Sequence, residues 1–336
     1  MRNIAPEGLC ALRLVHEPGC TAIRLYRIPH SAFRIPAASP GVTLIELLIV
    51  VFILSLLMAA AIPVVRPAME TSTLREATRS VATMLGTAKA RAQETGRPHG
   101  VLFEPMANRP AGCYTLFYAY QPPPYAGDSI NSRIVIAEGG GANERTISFP
   151  SGDAWNVIVR PGDELKLNFR GHRWRLTNIN GNTVTFASDT TSAPPPITPA
   201  GGVPFQFYRR PVKASGSPVQ LPGVMVVDLS YSGLGDGRFP LGTGNTQPIT
   251  LMFGPNGLPS RVYHEGALTG QSVTQNVYFL IGTPDKLGDD NLASLENMWV
   301  GVVGQTGLIV TAENAAGADL AERRQYVSSG QSMVGG

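Results

Sequence analysis

From Val42 to Ile62 the sequence reads VTLIELLIVVFILSLLMAAAI, 21 residues with one charge, Glu46. Apolar side chains fall on every face of such a helix, which at 1.5 Å per residue is roughly 32 Å long, about a bilayer's hydrocarbon thickness. After Pro63 and Pro67 the pattern changes. Leu74, Ala77, Val81, Met84, Leu85, Ala88 and Ala92 recur at three- and four-residue steps, a single apolar stripe. Glu70, Arg75, Glu76, Arg79, Lys89, Arg91 and Glu94 fall mostly off it. Gly96 followed by Pro98 is a stop signal. The pattern predicts one long helix, kinked or briefly broken near Pro63, whose second half packs under a sheet.

From His99 onward the pattern is that of strands. HGVLFE, CYTLFYAY, RIVIA, WNVIVR, ELKLNF, HRWRLTNI, TVTFA, FQFYRR, VMVVDL, ITLMF, NVYFLI, WVGVV and GLIVTAE are β-rich runs bounded by Gly, Pro, Asn or Asp. Asn180-Gly181-Asn182 between two of them predicts a hairpin. Residues 188–204 read as a Pro-rich exposed loop. The fold class expected is α+β: a long N-terminal transmembrane and amphipathic helix packed on a β-rich globular head.

Charge decides what the apolar helix is. The 41 residues ahead of it hold five arginines and two glutamates, a balance of +3, which leaves 22 basic and 22 acidic residues in the rest. Positive charge before an apolar helix keeps that side in the cytoplasm and exports the chain on the helix's C-terminal side. A secretory signal has a shorter apolar core and a small-residue cleavage site after it; here the run is longer, and the helix is expected to stay. Charged residues are 15% of the 336, with 37 Gly and 28 Pro. That balance excludes a coiled coil, a basic nucleic-acid tail and an acidic disordered protein.

Glu46 does not fit a plain anchor, because a carboxylate in hydrocarbon costs roughly 2.5–3.5 kcal/mol on insertion scales. It either snorkels to the cytoplasmic headgroups or has a functional partner. Ser39-Pro40-Gly41 followed by VTLIELLIVVFILSLL resembles the type III signal sequence of type IV pilins and pseudopilins. The resemblance implies that a prepilin peptidase cuts between Gly41 and Val42 and methylates the new amine of Val42. It makes Glu46 the fifth mature residue and Pro63 the helix-kinking proline. The amine of a neighbouring subunit would then pair with the Glu46 carboxylate in a filament, offsetting the cost of burying both. The usual first mature residue in the family is Phe, where this chain has Val42.

The head resembles the H-type minor pseudopilins of type II secretion and related minor pilins, through ATRSVATMLGTAKARAQETGRPHGVLFE, LPGVMVV, ITLMFGPNGLPS and NMWVGVVGQTGLIVTAE. The match covers residues 42–105 and 221–314, and 106–220 reads as an insertion. The organisation expected is a removed cytoplasmic leader (1–41), a transmembrane helix (42–65) and an amphipathic helix (66–96). Beyond these come a periplasmic head (97–315) and a flexible C-terminal tail (316–336).

Other chemistry is sparse. Cys10 and Cys20 lie in the leader, leaving Cys113, read as a small buried hydrophobe without an internal disulfide. The five histidines have no metal spacing, and Gly233-Leu234-Gly235-Asp236-Gly237 has no helix after it to form a phosphate loop. Asp285, Asp289 and Asp290 form a weak calcium candidate, with a solvated turn as the alternative. Arg173 and Arg175 share a strand face opposite His172 and Trp174, a weak DNA candidate; the neutral mature chain argues against nucleic acid as a partner.

The function expected is that of a non-catalytic minor pilin or pseudopilin subunit without cofactors. Its implied partners are other pilin subunits, the prepilin peptidase and inner-membrane lipid. The alternatives are a minor pilin whose head binds DNA, and a membrane-tethered binding domain that does not polymerise.

Overall fold

The stripe that the sequence marks out becomes the centre of the head. In the computed structural model, residues 41–150, 152–187, 193–241, 247–265 and 267–329 are described, the side chains of 60–68 and 267–269 excepted. Helix α1 spans Leu44–Thr95. Residues up to Ala59 form one compact unit and Ala60 onward a second, so the two are described separately.

In the first unit, residues 44–59 are helical and their apolar side chains are all exposed, from Leu44 to Met58. Among the described residues no helix is long and apolar enough to cross a membrane, so the expected span over 42–65 is not shown. Pro63, expected to kink the helix, falls among residues whose side chains lie outside the described set; the backbone there is helical.

In the second unit, Leu74, Ala77, Val81, Met84, Leu85, Ala88 and Ala92 are all buried, while Glu70, Arg75, Glu76, Arg79, Arg91 and Glu94 are exposed. Gly96 ends the helix with φ 64°, a left-handed conformation that costs glycine little.

After α1 come β1 (His99–Glu104), β2 (Gly112–Cys113) and β3 (Thr115–Tyr120). A second group comprises β4 (Val135–Glu138), β5 (Glu144–Ser148), α2 (Trp155–Ile158), β6 (Glu164–Leu167), β7 (Arg173–Asn180), β8 (Thr183–Phe186) and β9 (Phe205–Tyr208). The chain then returns through β10 (Val212–Lys213), β11 (Val219–Gln220), β12 (Val226–Leu234), β13 (Ile249–Phe253), β14 (Pro259–His264) and β15 (Ala267–Ser272). Strands β16 (Val277–Gly282), β17 (Met298–Val302) and β18 (Ile309–Glu313) complete the sheets, with α3 (Asp289–Ala293) between β16 and β17 and α4 (Leu320–Ser329) last.

Three antiparallel sheets result. The first runs β10-β3-β1-β13-β14-β15 with β11 also on β3, the second β18-β17-β16-β12-β2, the third β4-β5-β8-β7-β6-β9. One core joins the α1 stripe to the first two sheets, where Phe103 of β1 stacks on Phe279 of β16 with ring centroids 4.2 Å apart. The third sheet has a core of its own, built on Ile136, Leu165, Phe205 and Phe207.

Four expectations are corrected. The insertion is narrower than 106–220, because β2 pairs with β12 while β10 and β11 pair with β3; only the stretch between Tyr120 and Val212, which are register partners, stands apart. WNVIVR is not a strand: Trp155 and Val159 are buried and Val157 is 77% exposed, the i, i+4 pattern of a helical turn. ELKLNF ends at Leu167, since Asn168 and Phe169 take φ of 51° and 55° and turn the chain into β7. In the β7–β8 hairpin, Gly181 leads a two-residue loop with φ 58°, the pattern of a type II′ turn rather than a central Asn-Gly.

The flexible tail expected over 316–336 is corrected as well. Residues 320–329 form α4, and 330–336 lie outside the described set. Asp319 Oδ1 accepts the Glu322 N–H at 2.8 Å as an acidic N-cap, and Glu322 Oε2 accepts the Ala318 N–H at 2.8 Å. Val327 packs into a cluster with Tyr278 and Trp299. Arg324 is 1% exposed and donates to the carbonyls of Tyr231, Gly235 and Gly237; burial pushes its guanidinium down to about 10.

Because Tyr120 and Val212 sit opposite each other, replacing residues 121–211 by an Asn-Gly turn should leave the main head folded. Thermal unfolding of that variant should stay a single cooperative transition within a few degrees of the full chain, and loss of cooperativity would show that the third sheet supports the other two.

Candidate processing and assembly site

Residues 41–43 are not helical, and α1 starts immediately after them. A Cβ built on Gly41 would meet nothing within 4 Å, and its backbone is not in the left-handed region. The fold therefore makes no demand for glycine there. Val42 is 69% exposed. The Gly41–Val42 bond thus lies in exposed, non-helical chain among the described residues.

Thr43 caps the helix: its Oγ1 accepts the Glu46 N–H at 3.3 Å and its carbonyl accepts the Leu47 N–H at 3.1 Å. A threonine with a glutamate three residues on is the spacing of a capping box. Glu46 lies in the first turn of α1, where a carboxylate meets the positive end of the helix dipole. The same positions that the sequence marks for processing therefore also define where the helix begins. The sequence reading missed the role of Thr43, although Thr-x-x-Glu ahead of an apolar run was a signal for it.

The remaining candidates are dispersed. Asp285 Oδ1 lies 3.4 Å from Arg109 Nη1, Asp289 accepts the Tyr231 hydroxyl, and Asp290 is exposed in α3. Among the described residues no group of three or more His, Cys, Asp or Glu is placed to hold a metal ion. The loop is organised instead by Asp228, fully buried, which accepts from the N–H groups of Gly288 at 2.8 Å and Ser230 at 3.0 Å and from Asn291 Nδ2 at 3.0 Å. No sequence pattern pointed to this pin.

Arg173 is held within the fold: Nη1 is 3.1 Å from Glu164 Oε2 and the guanidinium lies 3.7 Å from the Tyr208 ring centroid. Arg175 stands opposite Glu164 in the β6–β7 register. His172 and Trp174 share the other face, with centroids 5.5 Å apart. Cys113 is buried, and burial pushes its thiol up to about 12.

Residues 38–62 match the model of the prokaryotic N-terminal methylation motif. The segment is thus a prepilin-type signal, and it makes the chain a type IV pilin-like substrate of prepilin peptidase. Comparison with curated proteins and with solved structures gives no match.

Removing the cap is the direct test of this geometry. Thr43→Ala should cost the first turn about 1 kcal/mol, read as a roughly fivefold faster amide exchange at Glu46 and Leu47 with the head unchanged. Cys113, thiol rather than thiolate at pH 8, should be alkylated only as the head unfolds; rapid labelling located at Cys113 in the native chain would contradict its burial.

Proposed function

We propose that this chain is a non-catalytic subunit of a type II secretion pseudopilus or a type IV pilus-like filament. A prepilin peptidase cuts it between Gly41 and Val42 and methylates the Val42 amine. The apolar helix stays in the bacterial inner membrane, and the head lies in the periplasm until assembly. The observation that carries the reading is the methylation motif over 38–62, which spans the start of the helix at Leu44.

Two further features support it. The apolar side chains of 42–58 are exposed on every face, so lipid or neighbouring helices must cover them. The head keeps the order that the H-type minor pseudopilin resemblance implies: the buried helix stripe, β1, the β13–β14 hairpin at Phe253-Gly254-Pro255-Asn256-Gly257, and the closing β17–β18 hairpin at Thr306-Gly307. In the assembled state the Val42 amine of one subunit neutralises Glu46 of the next, and Glu46 thereby ceases to be an isolated charge in lipid.

Gly41→Leu and Glu46→Gln separate processing from assembly. Gly41→Leu should leave head stability unchanged and abolish leader removal, read by mass spectrometry of the native N-terminus. Glu46→Gln should insert and be cut, yet enter filaments at least tenfold less. Filaments of normal yield from Glu46→Gln would overturn the Val42–Glu46 pairing, whereas a correctly cut wild type that forms no filaments would leave a membrane-tethered domain as the reading.

A further inference from the structure

A concentration of positive charge lies where the third sheet leaves the main head. A cavity of about 470 Å³ is walled by Pro122–Pro124 and Tyr208 and carries the side chains of Arg97, Arg173, Arg209 and Arg261. Among the described residues no acidic side chain lines it. Arg173 is paired with Glu164, and Arg209 Nε donates to the Pro123 carbonyl at 3.3 Å. The cavity therefore combines apolar walls with four guanidinium groups.

The opposite charge lies at the other end of the head. The connection from β16 to β17 carries Asp285, Asp289, Asp290 and Glu296 against a single Lys286, all exposed, together with Leu295 at 55% exposure. It is pinned by Asp228 and by Asn297 Nδ2, which donates to the Asn291 carbonyl at 2.7 Å.

The two places are separated along α1. Arg75 Nη2 lies 3.2 Å from Glu313 Oε1, and Glu313 is the register partner of Met298, so the acidic connection ends beside Arg75. Arg97 lies just past the far end of the same helix, where Lys89 Nζ reaches the Gly307 carbonyl at 2.9 Å. At 1.5 Å per residue, positions 75 and 95 of α1 are roughly 30 Å apart.

We propose that the arginine cavity is a docking site for the acidic 285–296 loop of a second copy of this chain, so that heads stack end to end along the direction of α1. Leu295 enters between the prolines and Tyr208, and the carboxylates of Asp290 and Glu296 meet the arginines. Guanidinium and carboxylate form the strong, directional class of hydrogen bond. Because the two patches are different surfaces of one chain, the contact is heterologous and does not close on itself, which extends an assembly instead of ending at a dimer. The inference deepens the filament reading and rests on it.

The test uses the purified full-length chain in detergent, followed by sedimentation at graded NaCl. The wild type should self-associate, with affinity falling about tenfold or more between 50 and 500 mM NaCl as exposed charges are screened. R97E/R209E and D290R/E296R should each lose association at low salt, and mixing the two should restore it, because each then supplies the partner of the other's reversed patch. Independently, with Cys10→Ser and Cys20→Ser in the background, Arg209→Cys with Glu296→Cys should form interchain disulfides under oxidation, Cys113 being buried.

A wild type that stays monomeric and uncrosslinked, or association indifferent to both reversals, overturns the proposal. So does binding of inorganic phosphate or a single-stranded oligonucleotide that R97E/R209E abolishes while self-association is unaffected. Correct leader removal with no stacking defeats this inference alone; stacking of a chain whose leader is never removed defeats the filament reading alone.

Discussion

The head exists because one face of α1 is sandwiched against two sheets at once. Ala77, Ala88 and Ala92 are small enough to bring the helix close, and Val81, Met84 and Leu85 fill the space between them. Gly86 belongs to the same contact, with room for little beyond a methyl group before Ile309 of β18. Phe103 and Phe279, stacked across the two sheets, close the core behind the helix. Where the sequence offers a stripe the helix is half covered, and where it is apolar all round, over 44–59, it remains bare. One periodicity and its absence thus set the division of labour along α1.

Much of this was legible because it rests on local rules. All seven stripe residues are buried, Gly96 ends the helix, and most of the predicted strands are strands. The failures share a cause: a pattern of a few residues cannot distinguish competing periods or reveal a distant partner. Trp155, Val157 and Val159 fit alternation as well as they fit a turn of helix, and the surrounding core of Phe205 and Phe207 decided between them. Helix α4 was mistaken for a tail because it is largely polar and its anchor is unusual. A buried arginine held by three carbonyls leaves no apolar stripe to read, although Asp319-x-x-Glu322 was a capping signal in plain view.

The candidate site was more legible than the fold's outer parts, and for a physical reason. A processing signal is read by an enzyme as extended chain, so its information lies in consecutive residues rather than in tertiary contacts. Gly41 illustrates this: no described atom lies within 4 Å of a Cβ built there, and it is the motif over 38–62 that marks the segment. Asp228 is the converse case. Its partners, Gly288 and Asn291, lie some sixty residues away, and only the folded chain shows that it organises the acidic loop.

The charge balance acquires meaning only once the parts are placed. The residues from Val42 onward hold equal numbers of acidic and basic side chains, so this part of the chain gains little from long-range attraction or repulsion. What remains is a separation within the head: arginines gathered where β3 and β10 hand over to the third sheet, carboxylates gathered between β16 and β17. A neutral particle with separated charges is indifferent to its neighbours at random orientation and attracted in one. Such an arrangement favours alignment over aggregation, because a wrong orientation brings like charges together. The insertion is then more than added bulk on a small head: it supplies Arg173, Tyr208 and Arg209, and without these the positive end would be reduced to what the turn after α1 and strand β14 contribute.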